Sequence, residues 1–447
     1  MCCFHIHFHT GQKLRDKMAQ DNVSISSKLI SRANYDKITD DKEIVLKQIW
    51  TNLFHLWNVE VDGTSAFSDR RLAAYDSNNS TESSKKSKKK SSGGGWFGFG
   101  SSNSSTDIVT TDESTDIGTT YKKGVVHSSF EGLDPKIAEK VFWDMLRVDP
   151  PDSTIWRFAS ARKFHSSKAI RMIARTIKFR SKRNVEQLLN KGEYDVFKNE
   201  EKGVMLNFNQ QKAVIVGKDL KNRPFILVRP KFHHSSDQQE EEVEKFALIV
   251  IEIARLYMKT GYTSIIFDLT DFSLSNMDYA PVKFLITCFE AHYPESLGCL
   301  LIHNAPWLFS PIWNIVKNWL DPVVASKIIF TKNMDELTKF ISKEIIPKYL
   351  GGDNDFDLDT YTPPDGSRDE LLKDTTGKDA ILALREKLIS QYKKLTVKWI
   401  ETIEPKESKE LWNQRIAIGQ EIVNNYNELD PYIRSRSYYD ITGTLEL

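Results

Sequence analysis

The residues with chemistry to offer are few and scattered. Cys288 and His292 stand four apart in an apolar segment, the spacing at which a thiol nucleophile and an imidazole base meet on one helix face. Leu285, Ile286 and Phe289 surround Cys288 in sequence, and that setting predicts a buried structural thiol instead. Asp268, Asp271 and Asp278 are too loosely spaced to nominate a metal site. His5, His7 and His9 would share one side of a strand, with no further ligand defined. A Gly-Lys-Thr phosphate loop, a Gly-x-Ser-x-Gly elbow and a His-Glu-x-x-His helix are all missing from the sequence. The expectation is a protein with no catalytic set, no metal and no cofactor.

The elements that position these residues alternate. Gly261–Thr270 is a short apolar run closed by polar residues and reads as a buried strand. A polar link with Ser273 and Ser275 leads to an amphipathic segment over Tyr279–His292, and Leu297–His303 is a second buried strand. Lys327–Phe330 is a third, followed by a helix expected over Met334–Ile345. Strands alternating with helices predict an α/β layer with parallel pairing. Upstream, Ala213–Val216 and Phe225–Val228 flank a turn, and a helix is expected over Glu241–Lys259.

One piece between the strands is unusual. Pro311 suits the first turn of a helix, and Pro322 stops one at or before Asp321. Ile312, Trp313, Ile315, Val316, Trp319 and Leu320 would then share one wide face, with Trp307 and Phe309 at its entrance. Burial of Trp307, Trp313 and Trp319 would contribute roughly 10 kcal/mol as an upper bound. The segment reads either as a helix docked on its own core or as a lid over an apolar ligand.

Four ordered motifs carry a resemblance. Tyr293-Pro-Glu-Ser-Leu-Gly298, Ile302-His-Asn-Ala-Pro306, Leu320-Asp-Pro-Val-Val-Ala-Ser-Lys-Ile328 and Pro347-Lys-Tyr-Leu-Gly-Gly352 resemble the CRAL-TRIO lipid-binding family, most of all its fungal phosphatidylinositol transfer branch. Upstream, Arg157-Phe158 and Ala161-Arg-Lys-Phe164 resemble the helical lobe that precedes the lipid pocket. The resemblance implies a mostly parallel sheet with flanking helices and a gating helix over Pro311–Asp321, preceded by an all-helical lobe. It implies phosphatidylinositol as the bound lipid, with Arg162, Lys163, Glu295 and Lys327 engaging or organising the inositol phosphate. Ser273 and Ser275 match hydroxyl positions that meet phosphocholine in relatives. Val324 stands where relatives often carry threonine, and Ile226 replaces the family's tyrosine. An aromatic cage for choline is therefore incomplete, and a second ligand of sterol or isoprenoid type is implied instead. The implied partners are a transiently visited membrane surface and lipid kinases. The rival reading is a scaffold that senses a lipid and recruits partners.

The remaining sequence sets the boundaries. A net charge of +1 over 447 residues gives no global pull toward nucleic acid. Cys2, Cys3, Cys288 and Cys299 form no disulfide framework, which fits a reducing interior. The start, Met1–His9, lacks the pattern of a signal peptide, and no run is long enough to span a bilayer. The expectation is a cytoplasmic protein, peripherally bound to intracellular membranes. Residues 1–40 read as a flexible extension and 41–200 as the helical lobe, starting with a helical pattern over Lys42–Glu60. Residues from about 62 to 124, rich in serine, glycine and lysine, read as a disordered insertion; Lys85–Lys90 with Trp96, Phe97 and Phe99 could touch anionic membrane. Residues 201–352 make the lipid-binding domain and 353–447 a helical C-terminal extension. Between Asp152 and Glu186 there are ten lysines and arginines and no carboxylate. Arg171, Arg175, Lys178 and Lys182 form a stripe, either a solvated face or an attraction to anionic lipid.

Overall fold

A computed structural model of the chain describes residues 38–67 and 122–444. Expectations for Cys2, Cys3, His5, His7, His9, Lys85–Lys90, Trp96, Phe97 and Phe99 lie outside those residues. Helices come first: α1 (Asp40–Leu56), α2 (Pro135–Leu146), α3 (Pro151–Ala161), α4 (Ser166–Arg183), α5 (Val185–Lys198) and α6 (Lys202–Asn209). Asp134 accepts the Ile137 N–H and Pro135 occupies the first turn of α2, so the sequence marks where that helix starts. Helix α5 kinks at Gly192, whose φ of 59° and ψ of −154° suit only glycine.

The sheet follows as β1 (Ala213–Lys218), β2 (Pro224–Val228), α7 (Glu240–Leu256), β3 (Thr263–Asp268), α8 (Tyr279–Thr287) and β4 (Leu297–His303). Then come α9 (Phe309–Val316), α10 (Pro322–Ala325), β5 (Ile328–Thr331) and α11 (Met334–Leu337). Spatial order is β1-β2-β3-β4-β5, with β1 antiparallel to β2 and every other pair parallel. Each parallel step needs a crossover, and the amphipathic segments between the strands supply it. The α/β architecture expected from the sequence is the one observed.

Three details differ from expectation. The helix over Met334–Ile345 stops at Leu337, because the Phe340 carbonyl that would continue it accepts the Leu220 N–H. The ends of the serine-rich stretch are placed: Asp62 donates its N–H to Glu401, and Gln48 donates to the Ala66 carbonyl. Val61, Ala66 and Phe67 are buried there, which gives the chain enough apolar surface to dock. Third, the C-terminal helices α12 (Thr375–Glu401) and α13 (Pro405–Ile433) share one core with α1 to α4. Tyr392, Trp399 and Trp412 pack there with Trp50, Phe142 and Trp143. After them, α14 (Tyr438–Thr442) reaches the sheet, where the Tyr439 hydroxyl accepts the Ile215 N–H at 3.0 Å.

A buried ion network joins the helical lobe to α7. Arg180 on α4 donates to Glu252 at 2.9 Å, and Arg255 reaches both Glu252 and Asp149. Glu252 also accepts the Tyr293 hydroxyl at 2.7 Å, which anchors the turn before β4. Despite burial, the surrounding Arg180 and Arg255 guanidinium groups hold the Glu252 carboxyl far below its usual range.

Candidate functional site

Side-chain alternation along the strands builds the floor of an apolar cavity. Ile226 pairs with Ile265, Ile265 with Leu300, and Leu300 with Ile328, and all four line the cavity. The next row, Val228, Phe267 and Ile302, extends the floor. Phe246 and Val250 of α7 and Phe284 and Leu285 of α8 form its walls.

Helix α9 is the roof. Phe309, Ile312, Trp313 and Val316 face the cavity, as does Leu320 beyond the helix. Trp307, Ile315 and Trp319, expected on the same face, do not line it. Trp307 is 87% exposed and Ile315 45% exposed. At about 100° per residue, Phe309, Ile312, Trp313 and Val316 cluster on one arc, and Ile315 falls off its edge. After Val316 the helix tightens to a 3₁₀ turn over Lys317–Trp319, which rotates Trp319 sideways. Its ring packs edge-on against Tyr279 at 5.5 Å, with the Lys283 ammonium 4.8 Å above it. Trp313 meets Phe330 at 5.2 Å on the sheet side.

The roof is held to α8 at its far end. A π turn over Cys288–His292 continues α8, and the Glu290 carboxylate there accepts the Asp321 N–H at 2.6 Å. Arg162, at the end of α3, donates to the Glu290 carbonyl and lies in the field of the Asp321 and Glu290 carboxylates. Burial pushes Arg162 down from its ordinary value, against the pull of Asp321. Burial likewise pushes the Glu290 carboxyl up, opposed by the Asp321 N–H.

The polar residues expected from the sequence fall into separate places. Glu295 and Lys327 come together at 3.7 Å, both about one quarter exposed, where β4 and β5 begin. Their chain neighbours Leu297, Val324 and Ile328 line the cavity. Glu295 sits at φ 54°, in the left-handed region, within the Tyr-Pro-Glu turn. Arg162 pairs with neither of them; its contacts are at Glu290. Lys163 is exposed, its backbone at φ 51° in the turn between α3 and α4. Ser273 and Ser275 are exposed beyond the other end of β3 and line no part of the cavity. They bond one another at 2.7 Å, and Ser273 forms a reciprocal cap with Asn276.

The remaining candidates have other occupations. Cys288 is buried, and burial pushes its thiol up. His292 stacks on Phe179 at 3.9 Å, and burial with Arg180 and Arg175 pushes it down to about 4. No hydrogen bond joins the two. Asp268 accepts from Tyr349, Asp271 pairs with Lys231, and Asp278 pairs with His233 at 3.2 Å.

The motifs over this cavity and its roof have counterparts in known proteins. The CRAL/TRIO domain profile matches residues 208–352. A protein of Eremothecium gossypii named phosphatidylinositol transfer protein CSR1 is 41% identical over 424 residues, covering 92% of this chain and 97% of that one. The CRAL-TRIO domain-containing protein C3H8.02 of Schizosaccharomyces pombe is 37% identical over 315 residues, 70% of each chain. The chain belongs to the CRAL-TRIO family.

For this CRAL-TRIO protein, two parts of the site were not read from the sequence. One is the Glu290–Asp321 contact. Asp321 before Pro322 is a visible cap signal, but nothing marks Glu290 as its acceptor. The other is a polar group at one end of the cavity lining, where Lys212 donates to Gln238 at 2.8 Å beside His233. Burial pushes Lys212 down to about 8 and His233 below its usual value. Among the described residues, no helix is long and apolar enough to cross a membrane.

Proposed function

We propose that this chain carries one phosphatidylinositol molecule in the cavity beneath α9 and exchanges it between membranes, or presents it to lipid kinases. The observation that carries this reading is the roof: an apolar cavity closed by a helix that a ring contact and one carboxylate hydrogen bond hold to α8. Such a gate is a two-state element that bilayer contact would bias toward opening, and no covalent chemistry is required. The likeness to the relative named as a phosphatidylinositol transfer protein supports the choice of lipid. In this reading Lys327 neutralises the phosphodiester at the rim, and Glu295 orients Lys327 or accepts inositol hydroxyls. Arg162 and Lys163 contribute positive charge behind the gate. The working location is the cytoplasmic side of intracellular membranes.

A second lipid of sterol or isoprenoid type is supported by the floor itself. Ile226, Ile265, Leu300 and Ile328 offer hydrocarbon, and Ser273 and Ser275 are spent on capping. Mass spectrometry of lipid extracted after incubation with mixed vesicles tests both readings. Near-stoichiometric phosphatidylinositol that is lost in R162A/K327A supports the first. An apolar lipid alone moves the function to hydrocarbon carriage, and a protein that loads and transfers nothing favours a scaffold.

A further inference from the structure

The ten cations between Asp152 and Glu186 divide sharply once placed. Arg157 turns to Asp149, Arg180 to Glu186 and Glu252, Arg183 to Glu244, and Arg162 to the Glu290 carbonyl. Lys163, Lys168, Arg171, Arg175, Lys178 and Lys182 remain exposed. Lys178 donates to the carbonyls of Ser129 and Glu131. Among the described residues, Arg171, Arg175 and Lys182 meet no carboxylate within ion-pair distance. With a whole-chain charge of only +1, this ridge is a local excess with a direction.

Its position gives it meaning. Thr176, beside Arg175, donates to the Ala291 carbonyl at 3.0 Å, and Phe179 stacks on His292. Helix α4 therefore rests on the π turn whose Glu290 holds the end of the gate. The gate itself presents Trp307 and Ile315 outward, with Val323 and Lys317 exposed beyond them. An indole left in water beside a cationic ridge is poorly placed for a free surface and well placed for a headgroup layer.

We infer that the exposed ridge of α4 and the outer face of the gate form one docking surface for an anionic bilayer. Arg171, Arg175 and Lys182 supply long-range attraction, and Trp307 and Ile315 enter the interface next to the cavity roof. The inference rests on the transfer reading for its purpose, but its physics concerns the vesicle alone.

The test is co-sedimentation of the full chain with phosphatidylcholine vesicles containing about one third phosphatidylserine and no phosphatidylinositol, against pure phosphatidylcholine vesicles. Wild type should prefer the anionic vesicles, with the preference falling as salt rises. R171Q/R175Q/K182Q should lose affinity for them on the order of a hundredfold, with an unchanged melting temperature and bound-lipid content. W307A should weaken binding to both vesicles several-fold without altering the salt dependence. Triple-variant binding equal to wild type would overturn the proposal and assign the ridge to an acidic protein partner. If wild type carries no phosphatidylinositol, the transfer reading falls while the vesicle comparison still decides the docking surface.

Discussion

Asp321, at the end of the gate, donates its backbone N–H to the Glu290 carboxylate at 2.6 Å. This contact ties the gate to a turn that α4 and Arg162 also touch. A hydrogen bond to a charged acceptor contributes about 1.5–3 kcal/mol when broken by truncation. Partial exposure of both groups places this one at the low end.

Glu290→Ala should therefore loosen the closed gate more than it loosens the fold. The expected result is spontaneous lipid exchange roughly tenfold faster, with a melting temperature within a few degrees of wild type. Glu290→Gln keeps an acceptor oxygen and should recover most of the difference. Stopped-flow exchange of a fluorescent lipid measures this. An unchanged rate in Glu290→Ala would assign closure to the Trp319–Tyr279 contact alone.

The second prediction concerns the C-terminal hairpin. Arg415 on α13 is fully buried, donates to Asp152 of α3 at 2.5 Å, and stacks on Trp399 at 4.0 Å. Arg415→Ala would leave the Asp152 carboxylate buried without its countercharge, a loss of about 3–5 kcal/mol. Chemical denaturation should show this as a lower midpoint. Truncation after Tyr361 should yield aggregated protein, because it removes Tyr392, Trp399 and Trp412 from the lobe's core. A soluble, exchange-competent truncation would refute the shared core.

The strands were legible because each is a short apolar run bounded by glycine or polar residues, and the period-2 pattern alone assigns Ile226, Ile265 and Leu300 to one face. The roof was legible only in part. Periodicity assumes a regular helix, and α9 lasts just Phe309–Val316 before tightening, so Trp319 left the expected face. The Glu290 contact depends on a π turn, an offset no spacing rule anticipates. Tyr392 and Trp412 announced burial, but hydrophobicity does not name a partner, and their packing on Trp50 and Trp399 is a long-range fact. Glu295 and Lys327 meet because β4 and β5 are adjacent and parallel, which follows from the topology once that is known.

The last prediction is a pH dependence. Glu193 follows the kink in α5, is almost wholly buried, and accepts the Tyr361 hydroxyl at 2.8 Å and the Tyr438 N–H at 3.0 Å. Burial pushes its carboxyl up to about 7, against those two hydrogen bonds. A raised acid favours the protonated folded form. Its contribution is fully present below the unfolded value near 4.5 and is lost as pH climbs through about 7. The span corresponds to about 3 kcal/mol between pH 4.5 and 7.5. Glu252 and Asp440, held low by arginines, act at more acidic pH and leave this window to Glu193. Glu193→Gln keeps a carbonyl oxygen for Tyr361 and Tyr438 and cannot ionise. Urea unfolding at a series of pH values should show stability falling toward pH 7.5 in wild type and a flatter profile in Glu193→Gln. Parallel profiles would show that Glu193 stays ionised in the fold and that the α5 kink holds α14 by other contacts.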